Sequence, residues 1–398
     1  MPTSPERQAN NHPPKNLELA LVAGSISLSL LGFLVFDGIY SSQQRSNPFS
    51  PPPLKTNGRK LYISKSNGWY ELNKNYDGED RYGRYRIDVK TDENGFRIPT
   101  KQQPTLTDKR SSAQAPALVF LGDSFTYGVG TSWDNTFVGQ VAKHYPGPVI
   151  NAGVVSHSPT AHRYRLERLL KSGTIPDGAV VIMAVDISDV QDESSRWIPQ
   201  TSGPPQERNS AASAAVVERQ GTATKQIRKS DEPWFSPRRF QLTHRLYYGL
   251  EVLYKQFFDH WQIRNNARSA FTHRPWNEID EAYKPLGVVG GLGQLRRQIT
   301  AAAKLSTNYG HQFFLLIYPW PAQLAYSDQF NWESWISQSC HVPDCSGVIN
   351  AFPAMRQQVT PNRNAASWQE RLYLKGDMHL SPAGNAVVAQ TILKALQE

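Results

Sequence analysis

The stretch Gly122-Asp123-Ser124-Phe125-Thr126-Tyr127-Gly128 constrains this chain more than any other, because it directly follows the apolar run 115–121 (APALVFL). A short run of strand formers that ends in glycine reads as a buried parallel strand. Strand, small turn, then helix would place Ser124 at the carboxyl end of a sheet, where doubly wound folds keep their chemistry. The free N–H groups of a helix start lie there too, suited to a developing anion. Asp123 suits the bend before the helix. The pattern is not the G-x-S-x-G elbow, since Thr126 stands where glycine would be needed. Alone, the triplet reads as a helix cap.

A second stretch gives the first a chemical context. Gly376-Asp377-Met378-His379-Leu380-Ser381-Pro382-Ala383-Gly384 lies near the C-terminus. Asp377 and His379 are two apart, so on an extended segment both side chains point the same way. Asp377 can then orient His379, and His379 can take a proton from Ser124. Serine, remote histidine and neighbouring aspartate are the parts of a nucleophilic triad.

With these blocks in order, the sequence resembles the SGNH/GDSL hydrolase superfamily. GDSFTYGVG is similar to its first block, Asn151-Ala152-Gly153 to its second, and DMHLSPAG to its last, in a D-x-H form. That shorter form, with Tyr318-Pro319-Trp320-Pro321 and Phe352-Pro353-Ala354, resembles an exported bacterial branch that includes alginate O-acetyltransferase-like proteins. The resemblance spans roughly residues 90–398. It implies a three-layer α/β/α sandwich with a parallel sheet, the triad Ser124, Asp377 and His379, and an oxyanion hole formed by Ser124, Gly153 and a third donor. The third block is normally G-x-N-D; here it is Asp186-Ile187-Ser188-Asp189, with Ser188 where asparagine would stand. A hydroxyl is shorter and less fixed than an amide, and losing one oxyanion donor costs on the order of 100- to 1000-fold in rate.

The rest of the chain is read from its start. Residues 1–16 are polar and form an expected cytoplasmic tail. Residues 17–38 form the expected anchor, since 19–36 (LALVAGSISLSLLGFLVF) carry no charge, near the ~20 residues a bilayer helix needs. The expectation is an uncleaved helix in a bacterial inner membrane with the remainder exported; cleavage near Ser41-Ser42 stays open. Residues 39–60 read as a Pro-rich linker. Residues 61–110 read as a small β element with a turn at Asn94-Gly95. Residues 111–398 read as the α/β domain, with strands at 115–121, 149–151, 179–185 and 311–318 and a last strand-like piece at 371–374. Helices are expected at 136–144, 161–170, 292–305 and 382–396.

The acidic run 186–193 reads as a solvated loop in which Asp189 anchors the active-site wall, without the spacing of a calcium loop. Residues 198–235 read as an insertion without fixed structure. The aromatic stripe of 236–262 suggests packing against the domain, with a lid or membrane-surface helix as alternatives. Candidate substrate-cleft residues are Asp123, Asp189 and Trp320. Cys340 and Cys345, the only cysteines, read as a local disulfide.

Hydrophobic content of 39%, with ten Trp and seventeen Tyr, excludes a disordered chain. The net charge of +9 comes without a nucleic-acid motif. No metal or cofactor is expected. The expected function is a membrane-anchored esterase or acyltransferase acting on an acylated glycan or another ester, with partners in a polysaccharide-modification complex. The alternative is an impaired relative acting as a binding or scaffold component. The sequence leaves hydrolysis and transfer open.

Overall fold

The computed structural model describes residues 15–43, 54–64, 67–101, 115–208, 240–243, 246, 250, 281–325, 330–359 and 365–397. The chain divides into two compact units, Met1–Pro53 with Thr224–Phe258, and Leu54–Ala223 with Asp259–Glu398.

The first unit contains helix α1 (Lys15–Gln43). Its stretch Ala23–Ser41 has mean hydropathy 1.5 and is long and apolar enough to cross a membrane, a property that a signal sequence near an N-terminus shares. Residues 241–243, 246 and 250 are helical. Of the expected aromatic stripe 236–262, residues 240–243, 246 and 250 are described, and they belong to the same unit as α1. Residues 209–239, most of the expected insertion, lie outside the described residues, as do 1–14 of the tail and 44–53 of the linker.

The second unit is built on one eight-stranded sheet. Its parallel part consists of β6 (Leu118–Leu121), β7 (Val149–Asn151), β8 (Val180–Ala184), β11 (Gln312–Ile317) and β12 (Gly347–Asn350). The order β12-β11-β8-β6-β7 means that the chain leaves β6, forms β7 on one side, then crosses to β8 on the other. That reversal is the topological switch point of a doubly wound sheet, and the crevice beside it is where such folds bind ligands.

Period-two alternation divides the core into two layers. Leu118 and Phe120 join one cluster; Val119 and Leu121 join the other. The first layer is closed by α3 (Phe137–His144), α10 (Ala365–Leu372) and α11 (Pro382–Ala395), through Phe137, Leu372 and Val388. The second is closed by α4 (Pro159–Lys171), α5 (Asp189–Ser195) and α6 (Gly287–Asn308), through Leu166, Val190 and Leu295. This is the α/β/α sandwich the strand and helix pattern predicts. Two helix starts have a local cause: the Thr136 side chain caps α3 by accepting from Gly139 N–H, and Ser381 caps α11 by accepting from Gly384 N–H.

Several elements differ from expectation. Strands β3 (Asp77–Tyr82), β4 (Tyr85–Thr91) and β5 (Arg97–Ile98) continue the main sheet as an antiparallel edge, β5 pairing with β7. They were expected as a small element beside the domain. The Asp92 carboxylate holds the turn before β5, accepting from Asn94 and Phe96 N–H at 2.9 and 2.8 Å. The piece 371–374 is no strand: it is the end of α10 and a single bridge, Tyr373 to Leu380. Strand β12 carries only a short apolar pattern and was not anticipated. The run 186–193 is not a solvated loop; Asp186, Asp189 and Glu193 are buried.

Cys340 and Cys345 form the disulfide. It closes a short loop, so replacing both by alanine should lower stability by only about 2 kcal/mol in the chain-entropy picture. Urea unfolding of the double variant checks this, and a loss no larger than the error would refute it.

Candidate active site

Ser124 begins α2 (Ser124–Tyr127), a single turn at the carboxyl end of β6. Asp123 caps that turn, its Oδ1 accepting from Phe125 N–H at 2.9 Å. Gly128 ends it in the left-handed conformation (φ 84°), which a side chain would strain.

His379 Nε2 lies 2.8 Å from Ser124 Oγ, and His379 Nδ1 lies 2.5 Å from Asp377 Oδ1. Asp377 Oδ1 also accepts from the His379 amide at 2.9 Å. The structure thus brings together the three residues expected as a triad, across 255 positions of sequence between serine and histidine. Burial pushes the Asp377 carboxyl up, but its bonds from His379 and Tyr82 outweigh that and hold it below the usual carboxylate range.

Tyr82 was not anticipated. Its hydroxyl donates to Asp377 Oδ2 at 2.9 Å, and its ring stands edge-on to the His379 ring, with 5.0 Å between centroids. Phe125 covers His379 from another side at 4.8 Å. Asp377 therefore has both oxygens engaged, one by His379 and one by an aromatic residue from the sheet edge. A hydrogen bond to a charged group contributes about 1.5–3 kcal/mol. Tyr82→Phe should accordingly lower kcat roughly tenfold, with KM little changed. Asp377, having lost a donor, should also protonate at higher pH, so the acid-side loss of activity should move upward. An unmoved pH profile would reduce Tyr82 to a packing residue.

Arg97, also missed, is 1% exposed. Its Nη1 donates to the carbonyls of Tyr127 and Gly128 (2.8 Å for the latter), and its Nη2 to Thr131 O at 2.6 Å. The guanidinium lies over the Tyr127 ring, and the Tyr127 hydroxyl donates to Asp80 Oδ2 at 2.8 Å. Arg97 thereby fastens the end of the nucleophile turn. The only sequence signal for it is the motif Asn94-Gly95-Phe96-Arg97, which reads as a turn.

The oxyanion donors fare differently from expectation. Among the described residues the Ser124 amide has no hydrogen-bond partner, as a first-turn amide should. The Gly153 amide donates to Asn151 Oδ1 at 3.0 Å. Ser188 Oγ donates to Asp186 Oδ1 at 2.6 Å. Both are therefore committed inside the protein. Gly153 has another reason to lack a side chain: a Cβ there would lie 2.5 Å from Tyr127 N, beneath the nucleophile turn.

The proposed cleft residues separate. Trp320 is partly buried beside Phe125, with 6.3 Å between their rings. Asp123 lies against the nucleophile, its Oδ2 3.3 Å from Ser124 Oγ. Asp189 is buried, its Oδ2 accepting from the Asp186 amide at 2.9 Å, so it braces the loop after β8. Burial raises the Asp123 and Asp189 carboxyls, and the neighbouring Asp186 raises them further.

Asp192, at the far side of this group, is pushed up to about 7 by burial, against the pull of Arg196. A carboxyl raised in the folded state stabilises fully below its unfolded pKa near 4, and that contribution is lost as pH rises through about 7. Stability should fall between about pH 4 and 7, and Asp192→Asn should flatten the fall. Urea midpoints at both pH values check this; an equally steep fall in the variant would refute it.

No protein-family model matches the chain, and neither does any curated protein. Among solved structures, a member of the lipolytic protein G-D-S-L family from Veillonella parvula is similar at 9% identity and TM-score 0.39, over 71% of this chain and 100% of that one. A catalytic mutant of an acetylxylan esterase from Geobacillus stearothermophilus is similar at 11% identity and TM-score 0.36, over 70% and 93%. A lipase from a goat rumen metagenome is similar at 11% and 0.34, over 71% and 97%. The mostly parallel sheet, with helices on both faces and a serine at its switch point, fits an SGNH-type α/β fold.

Proposed function

We propose that the chain is an SGNH-type serine esterase that removes or transfers acyl groups on a saccharide, exported and held at the bacterial inner membrane. The observation that carries the reading is the unbroken relay Ser124–His379–Asp377 at the switch point of the sheet. His379 Nε2 removes the hydroxyl proton as Ser124 Oγ attacks the ester carbonyl. Asp377 holds the ring and stabilises the imidazolium. The tetrahedral oxyanion forms beside the open Ser124 amide. His379 returns the proton to the leaving alcohol, and water or a sugar hydroxyl then releases the acyl group. Trp320, partly buried beside Phe125, supplies an aromatic face on which a sugar ring can stack.

The test is to incubate the full chain in detergent with p-nitrophenyl acetate and with an acetylated oligosaccharide, measuring free acetate and acetate transferred to added saccharide. Release or transfer abolished by a serine-directed fluorophosphonate supports the reading. No turnover and no labelling of Ser124 would sink it.

A second reading follows from the commitment of Gly153 and Ser188 to internal partners. A protein short of oxyanion donors could bind acylated saccharide as a scaffold. It would then retain such a ligand with Ser124 replaced and show no turnover.

A further inference from the structure

Nearly all of α1 between Ala23 and Ser41 is exposed, with Leu28, Leu30, Leu31 and Phe36 each open to more than half. Asp37 and Ser41 are the exceptions, at 0% and 3% exposure. They stand one helical turn apart, and Ser41 Oγ donates to Asp37 Oδ1 at 2.9 Å. Both accept from a segment 200 residues away: Ser41 Oγ from Gln241 N–H at 2.7 Å, Asp37 Oδ1 from Leu242 N–H at 2.8 Å, and Asp37 Oδ2 from Thr243 N–H at 2.7 Å.

The first amides of a helix have no partner within it. Here α1 supplies the cap that a helix start normally takes from its own flanking residue. A signal peptide cut before Ser41 would carry Asp37 away and leave the amides of Leu242 and Thr243 open; a cut just after Ser41 would remove Ser41 as well. A contact of this kind is useful only to a helix that remains. Downstream, the helical residues Leu246 and Leu250 are four apart and so share a face, and they are 61% and 58% exposed. The sequence beside them carries Arg238, Arg239 and Arg245. An apolar face with flanking cations, joined to the end of a bilayer-length helix, matches a helix lying among anionic headgroups.

We propose that α1 is retained in the mature protein and that Asp37 and Ser41 seat the segment beginning at Gln241 on the lipid surface, with Leu246 and Leu250 facing the acyl chains. The proposal rests on the membrane-held part of the functional reading and not on the esterase chemistry.

The test uses the full chain recovered from bacterial membranes. Its N-terminus is determined by mass spectrometry. Leu250→Cys is labelled with an environment-sensitive fluorophore, since both native cysteines are tied in the disulfide. The labelled protein is reconstituted into vesicles of phosphatidylcholine and phosphatidylglycerol. The expected results are an N-terminus upstream of Lys15 and emission quenched about twofold by a lipid spin-labelled near the headgroup. An N-terminus beyond Ser41 would overturn retention. Emission indifferent to the quencher lipid would overturn the surface seat. Asp37→Ala with Ser41→Ala should weaken quenching while the protein stays in the membrane, and unchanged quenching would overturn the role given to the cap. Asp37→Asn, which keeps one acceptor oxygen, should fall between. Hydrolysis of p-nitrophenyl acetate should be unaltered by Leu250→Cys.

Discussion

Ser124→Ala is expected to leave a folded protein whose hydrolysis of p-nitrophenyl acetate falls by about 10⁴- to 10⁶-fold. The hydroxyl is the nucleophile that His379 Nε2 addresses at 2.8 Å, and the methyl group left behind cannot attack. Asp123 still caps the turn through Phe125 N–H, so the fold should survive. His379→Ala should cost a comparable factor, and the double variant little more than either alone, because residues of one relay act as a unit. A thermal melt confirms that each variant is folded. If both folded variants kept most of the activity, the chemistry would lie elsewhere in the molecule.

Arg97→Met is the second large effect, and its first readout is stability. The substitution keeps much of the aliphatic volume but removes the donors to Tyr127, Gly128 and Thr131 carbonyls. Asp80, 1% exposed, loses its cationic neighbour at the same time. Leaving a buried acceptor without its donor costs about 1–3 kcal/mol, so the loss of three carbonyl contacts should lower stability by several kcal/mol. Because those carbonyls close the nucleophile turn, activity per folded molecule should fall as well. Asp80→Asn in the same chain should recover part of the stability but not the activity. Equal urea midpoints for wild type and Arg97→Met would contradict the burial argument.

The parallel strands β6, β7, β8 and β11 were legible because each is a short apolar run, and a strand covered on both faces needs little else; β12, reading GVIN, is too brief a pattern to stand out. Helices α3, α4, α6 and α11 were legible from their period, and Thr136 and Ser381 cap the starts of α3 and α11; α5 and α10 were not. The triad residues were legible because a serine after a strand and a D-x-H pair are uncommon in combination. The antiparallel edge was not: β3 reads DGEDRY, a polar string whose place is set by pairing with β4. The acidic run also misled, since charge in sequence suggests solvent, whereas Glu193 is buried by bonds from Ser158 and Thr160.

Gly153 and Ser188 show the same limit at the site. The sequence correctly placed glycine after β7 and serine after β8, but direction is a property of the folded loop. One amide turned to Asn151 and one hydroxyl turned to Asp186 are local choices with several alternatives of similar energy.

The sequence by itself determined the layered α/β architecture, the nucleophile turn and the identities of Ser124, Asp377 and His379, because periodicity, turn chemistry and side-chain reactivity are local properties. Only the tertiary structure decided that Tyr82 grips Asp377 from 295 residues away, that Arg97 fastens the nucleophile turn, and that Asp37 caps a distant helix. Those contacts satisfy buried polar groups whose partners the fold alone brings within hydrogen-bond distance.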